Sequence, residues 1–117
     1  MNVSERLPVT YLFNHDCPSH QEGRALLQRA AEAAGVELEV TVVEVVDDAQ
    51  AADLRFHGSP TYVLAGVDPF DPPQGVPIAA QACRAYARSD GRMAPLPSLD
   101  DLTDALVRAT STQGASR

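Results

Sequence analysis

The feature that most constrains this chain is its opening run: an apolar strand, a helix and a second apolar strand in direct succession between Pro8 and Val46. In Pro8 to Phe13, Val9, Tyr11 and Phe13 share one face, and Thr10 and Leu12 the other. Both faces are largely apolar, the pattern of a strand inside a sheet. A short polar turn follows, and then Leu26, Leu27, Ala30, Ala31 and Ala34 recur at helical spacing. Pro18 suits the first helical turn, where its missing N–H costs little. Gly35 is a natural stop, and Gly23 weakens the helix by roughly 1 kcal/mol relative to Ala. In the second strand, Val36 to Val46, Val36, Leu38, Val40 and Val42 alternate with Glu37, Glu39 and Thr41. The apolar face then shifts to Val43 and Val45, the mark of a bulge or of the start of a buried stretch. A strand–helix–strand unit of this kind pairs its strands in parallel.

Further on, Asp47 or Asp48 is placed to cap a short helix over Ala49 to Phe56, which Gly58-Ser59-Pro60 breaks. Thr61 to Leu64 reads as a third strand. Gly66 to Val76 carries Gly66, Pro69, Pro72, Pro73 and Gly75 and reads as a loop. Ala82 to Tyr86 reads as a fourth strand, with a helix as the alternative, and Ser89-Asp90-Gly91 as a turn. The final two strands are expected to pair antiparallel. Ser98 with Asp101 resembles a capping box opening a last helix with Leu99, Leu102, Leu106 and Ala109 on one stripe. The expectation is one α/β domain over residues 1–109, ordered β-α-β-α-β-β-α around a mixed four-stranded sheet flanked by helices, with 110–117 as a flexible tail.

Composition excludes several function classes. At 117 residues and 44% hydrophobic, the chain is long and apolar enough to bury a core without disulfide staples. The formal net charge is −7 without a Lys/Arg cluster, which argues against nucleic acid and anionic membranes as partners. No stretch approaches the ~20 apolar residues of a membrane span, and the first residues do not read as a secretion signal. The expected location is the cytoplasm. There is no Gly-x-Gly-x-x-Gly, no Gly-Lys-Ser/Thr loop and no His-Glu-x-x-His, so no cofactor and no resident metal are expected.

The chemistry-bearing segment is Asn14-His15-Asp16-Cys17-Pro18-Ser19-His20. It sets a thiol at or near a helix N-terminus, where unpaired N–H groups and the helix dipole favour a thiolate. A thiolate is a nucleophile and a soft-metal ligand; a thiol is neither. His20 lies three residues on, on the same helical face, placed to stabilise the thiolate or to move a proton. Ser19 offers a hydroxyl or a helix cap. Cys83, the only other cysteine, reads either as a resolving thiol or as a buried apolar residue. Asp68 and Asp71 read as turn residues.

The order of elements, with Cys17-Pro18 after the first strand and Ser59-Pro60-Thr61 opening the third, resembles the thioredoxin-like superfamily. It is most similar to small bacterial thioredoxin family proteins with a Cys-Pro-x-x start and a later Gly-Ser-Pro-Thr. Gly66-Val67-Asp68-Pro69-Phe70 and Cys83-Arg84-Ala85-Tyr86 extend the resemblance, which covers about Pro8 to Ala109. It implies a cis Pro60 beside the reactive cysteine, with Pro18, Ser59, Pro60 and Thr61 forming the substrate edge and the Ser59 backbone offered to an extended substrate. Cys17, His20 and Cys83 are then the catalytic candidates. The chain departs from that pattern at position 20, where His20 replaces the second cysteine of Cys-x-x-Cys and cannot resolve a mixed disulfide.

Three functions follow as expectations. The first is a thiol-disulfide oxidoreductase or thiol-dependent redox protein using Cys17, acting on a protein or small-molecule thiol or disulfide. The second is a non-catalytic thioredoxin-like module that binds a partner, including a second copy as a homodimer, through an edge strand or the Pro-rich loop. The third is a thiol binder of a soft metal of the mercury type.

Overall fold

The computed structural model describes residues 6–70, 79–82 and 84–115, with side chains as far as Ser111. Its elements are β1 (Leu7–Phe13), α1 (His20–Ala34), β2 (Leu38–Glu44), α2 (Asp48–Leu54), β3 (Thr61–Leu64), β4 (Tyr86–Ala87), β5 (Met93–Ala94) and α3 (Leu99–Ala115). It is an α/β protein. One three-stranded mixed sheet has the order β2-β1-β3, and a separate two-stranded sheet holds β4 and β5.

β1 is the central strand, as its two apolar faces require. It pairs in parallel with β2, from Leu7 opposite Leu38 to Phe13 opposite Glu44, and antiparallel with β3 through Val9–Leu64 and Tyr11–Tyr62. On one face Leu7, Val9 and Tyr11 pack with Leu26, Leu27 and Ala30 of α1 and Leu102 and Leu106 of α3. On the other, Leu12 packs with Val45, Ala51, Phe56 and Ala80, under α2. Helices therefore cover both faces. The one-to-one register of β2 leaves no bulge in it; the shifted face beyond marks the buried Val45.

The local signals act much as their chemistry dictates. The Asp47 carboxylate caps α2 by accepting from Gln50 N–H at 2.8 Å. Gly35 closes α1 in the left-handed conformation (φ 69°). Gly23, unfavourable by helix propensity, sits where a Cβ would fall 2.4 Å from the Tyr11 hydroxyl, so close packing of α1 on β1 dictates glycine there. Ser98 Oγ accepts from Asp101 N–H at 3.0 Å, while the Asp101 carboxylate accepts from Ser89 N–H at 3.0 Å. The box is thus shared between the α3 start and the Ser89 turn, and the bond from Ser89 N–H holds the Asp101 carboxyl below the usual carboxylate range. Leu99 is exposed rather than part of the buried stripe. α3 runs on through 110–115, where Thr110 Oγ1 donates to Leu106 O at 2.9 Å.

The expected four-stranded sheet is not what the described residues form. The fourth strand is the two residues Tyr86–Ala87, and it turns through Ser89-Asp90-Gly91 to pair with Met93–Ala94. The residues before it spend their backbone groups on a single residue: Ser59 N–H donates to Ala82 O at 3.0 Å, and Arg84 N–H donates to Ser59 O at 3.2 Å. The expected partner β3 therefore pairs only with β1 among the described residues. Much of the Pro-rich loop, Asp71 included, lies outside the described residues. Among them, no helix is long and apolar enough to cross a membrane.

Candidate thiol site

Beyond Phe13 the chain folds back in a tight turn, with Cys17 N–H donating to Asn14 O at 3.1 Å. Helix α1 begins only at His20, with Ser19 as its N-cap residue and no capping bond from the Ser19 side chain. Cys17 and exposed Pro18 thus precede the helix instead of opening it. The reason lies in the turn, where Cys17 O accepts from His20 N–H at 3.4 Å before regular helical bonding starts with Gly23 N–H to Ser19 O at 2.8 Å.

The Cys17 side chain is buried, 4% exposed. Its S–H donates to the Ser59 carbonyl at 3.6 Å, and the Ser59–Pro60 peptide bond is cis. Sulfur and cis peptide therefore meet, as the resemblance implies. Ser59 itself is fully engaged. Its N–H and C=O go to Ala82 and Arg84, its Oγ accepts from Asn14 N–H at 3.1 Å, and it is 2% exposed. The expectation that its backbone faces an extended substrate gives way to an internal partner, the segment on which Ala82 and Arg84 lie. Cys83, between them, lies outside the described residues.

Sequence reading did not single out Asn14. It is buried, and its Nδ2 donates to Ala82 O at 3.2 Å, so it joins the end of β1 to the same segment that holds Ser59. A polar residue closing an apolar strand is the only hint the sequence carries. Arg84 was likewise overlooked as more than a motif letter. Its guanidinium is buried and clasps the Asp68 carboxylate, Nη1–Oδ2 2.6 Å and Nη2–Oδ1 3.3 Å. It also donates to Thr61 Oγ1 at 3.2 Å and to the Phe70 carbonyl, and lies 4.6 Å over the Tyr86 ring. Asp68 keeps its turn role as well, accepting from Phe70 N–H at 3.0 Å. Thr61 is buried, its hydroxyl donating to Gly58 O at 2.7 Å.

Beneath the sulfur lie Tyr11, Tyr62 and Tyr86, all buried. Their hydroxyls donate to the carbonyls of His20, Gly23 and Pro60. Burial pushes all three phenols above their ordinary range. The His20 ring stacks on Phe13, centroids 4.8 Å apart; among the described residues no hydrogen bond links it to Cys17. His15 and Asp16 are exposed in the turn. Among the described residues, no three His, Cys, Asp or Glu side chains gather as a metal site.

Fold and site together define an α/β protein with a buried thiol set against a cis X–Pro peptide. Comparison of the chain with protein-family models, with curated proteins and with solved structures finds no match.

Proposed function

We propose that the chain is a thioredoxin-like thiol redox protein of the cytoplasm, with Cys17 as its reactive sulfur. The observation that carries this reading is the 3.6 Å approach of Cys17 Sγ to the carbonyl of Ser59, whose bond to Pro60 is cis. The central β1, its parallel partner β2 and helices on both faces support it.

In this reading the protein rests as a thiol, its S–H held by Ser59. Substrate entry moves the turn 14–19 and frees the sulfur, which loses its proton to water or to His20 at the head of α1. The thiolate attacks one sulfur of a substrate disulfide. A Cys17–substrate mixed disulfide forms, the substrate S–S bond breaks, and one substrate thiolate leaves. A second thiolate, from Cys83 or an external thiol, attacks Cys17 Sγ; a disulfide to Cys17 forms, the bond from Cys17 to the substrate breaks, and the second substrate thiolate leaves, which completes the two-electron reduction. An external dithiol then restores the reduced protein. Exposed Pro18 lies at the edge the substrate meets, and the buried Ser59, Pro60 and Thr61 back the sulfur from within.

The test is turnover of an aromatic disulfide by wild type, Cys17→Ser and Cys83→Ser, with intact-mass analysis. The reading expects Cys17→Ser to lose turnover; accumulation of a one-to-one adduct on Cys17 in Cys83→Ser assigns resolution to Cys83, and unchanged turnover in that variant assigns it to the external thiol. Equal rates for wild type and Cys17→Ser overturn it. The burial of Cys17 and the engaged backbone of Ser59 favour a second reading, a non-catalytic binding module of the same fold. That reading expects Cys17→Ser to keep partner binding unchanged.

A further inference from the structure

The outer edge of β2 is unlike the rest of the molecule. Residues Glu39 to Val42 are exposed in succession on a seven-residue strand, and no other strand among the described residues pairs with its far side. The strand carries no proline, lysine or bulge, and its only charged side chains are Glu39 and Glu44. Which backbone groups are open follows from the ladder. Glu37 O accepts from Leu7 N–H, and Val45 N–H donates to Phe13 O, so odd-numbered residues point at β1. In a parallel pair the alternate residues then point away, leaving the N–H and C=O groups of Leu38, Val40 and Val42 facing outward. At the far end the edge is closed, because Gln50 Nε2 donates to Glu44 O at 3.0 Å.

We propose that β2 pairs antiparallel with β2 of a second copy of this chain, about a two-fold axis at Thr41, joining two three-stranded sheets into one. The register follows from pattern and charge. Centring on Thr41 pairs the strand symmetrically and places its hydrogen-bonded pairs at Val40 and Val42, clear of the Glu44 carbonyl that Gln50 holds. It sets Val40 opposite Val42 of the second copy, with outward N–H and C=O groups exchanged on both sides of the axis. It sets Glu39 opposite Val43 and Glu44 opposite Leu38, so no like charges face each other. The two Glu39 carboxylates then stand about 14 Å apart along the strands at ~3.4 Å per residue, beyond the ~8 Å screening length of physiological salt. Shifting the axis to Glu39 brings these carboxylates face to face. Val40 and Val42, 37% and 38% exposed, become buried in the pairing. So does the mouth of the adjoining groove of about 440 Å³ between α1 and β2, lined in part by Ala31, Val36 and Leu38.

The test is the mass of the full chain by sedimentation equilibrium, with Val40→Lys/Val42→Lys and Thr41→Cys variants. The proposal expects a wild-type dimer whose affinity rises with salt, since each copy carries a net charge of −7. The double lysine variant is expected to weaken dimerisation at least about 100-fold with an unchanged circular dichroism spectrum. In a Cys17→Ser/Cys83→Ser background, Thr41→Cys is expected to cross-link on mild oxidation. A Cα separation of ~4.5 Å at a non-hydrogen-bonded pair suits a disulfide, and Glu39→Cys is not expected to cross-link. A wild-type monomer at millimolar concentration overturns the proposal, as does failure of Thr41→Cys to cross-link in a chain that does dimerise. Binding of a basic extended peptide to monomers, weakened by salt, also overturns it. None of these outcomes bears on Cys17.

Discussion

The Tyr62 hydroxyl donates to the Gly23 carbonyl at 2.8 Å, and around that bond α1 lies so close to β1 and β3 that no side chain fits at residue 23. A Cβ there meets Tyr11 Oη at 2.4 Å, Pro60 Cγ at 3.1 Å and Tyr62 Oη at 3.1 Å. In an open helix, Gly→Ala stabilises by about 1 kcal/mol. Here Gly23→Ala is expected to destabilise by about 1–3 kcal/mol through overpacking. Urea denaturation of the two proteins checks it; a stabilised variant contradicts the packing.

The Arg84–Asp68 pair predicts an asymmetry. The Arg84 side chain is 3% exposed and that of Asp68 24%. Removing either partner leaves the other's charge uncompensated, at a cost of about 3 kcal/mol or more for a buried pair. The orphaned guanidinium is the more deeply buried, so Asp68→Ala is expected to cost more than Arg84→Met. Chemical denaturation of both single variants and the double variant gives the order and the coupling.

The three tyrosines of the chain are all buried, so they report on folding at high pH. Their folded-state phenols ionise above the unfolded value of ~10. The unfolded chain therefore releases protons first. Stability from this source is fully present below pH ~10 and falls as pH climbs further. Phenolate absorbance is expected to rise together with loss of helical circular dichroism. Phenolate appearing in a chain that keeps its helices contradicts the burial.

Ala65 (φ 50°) and Gly66 (φ 84°) form the turn between Leu64 and Val67. Both lie in the left-handed region, where a two-residue hairpin turn favours Asn-Gly. Ala65→Asn is expected to stabilise the protein by about 0.5–1 kcal/mol, read as a raised thermal midpoint.

The elements that local chemistry settles were legible in the sequence: β1 from its two apolar faces, the Gly35 stop, the Asp47 cap, and the third strand at Thr61 to Leu64. The cis bond before Pro60 was legible only through a family resemblance. What the residues could not disclose was where hydrogen bonds run over long separations. Asn14 and Ser59 are chain-distant, and each reaches Ala82 through a contact that only the folded chain creates. The same contacts divert the expected fourth strand from β3. Arg84 was unreadable for a related reason, since a lone arginine looks solvated until Asp68, Thr61 and the Phe70 carbonyl close around it. The helix start was misplaced because proline suits a turn just before a helix as well as the first turn within it.

One carbonyl oxygen, that of Ser59, accepts at once from the sulfur of Cys17 and the amide of Arg84. Any covalent change at the sulfur removes the first donor and leaves the second alone on that oxygen. The Arg84 amide proton is thereby a built-in spectroscopic gauge: its nuclear resonance shifts with the chemical state of an atom to which it is not bonded.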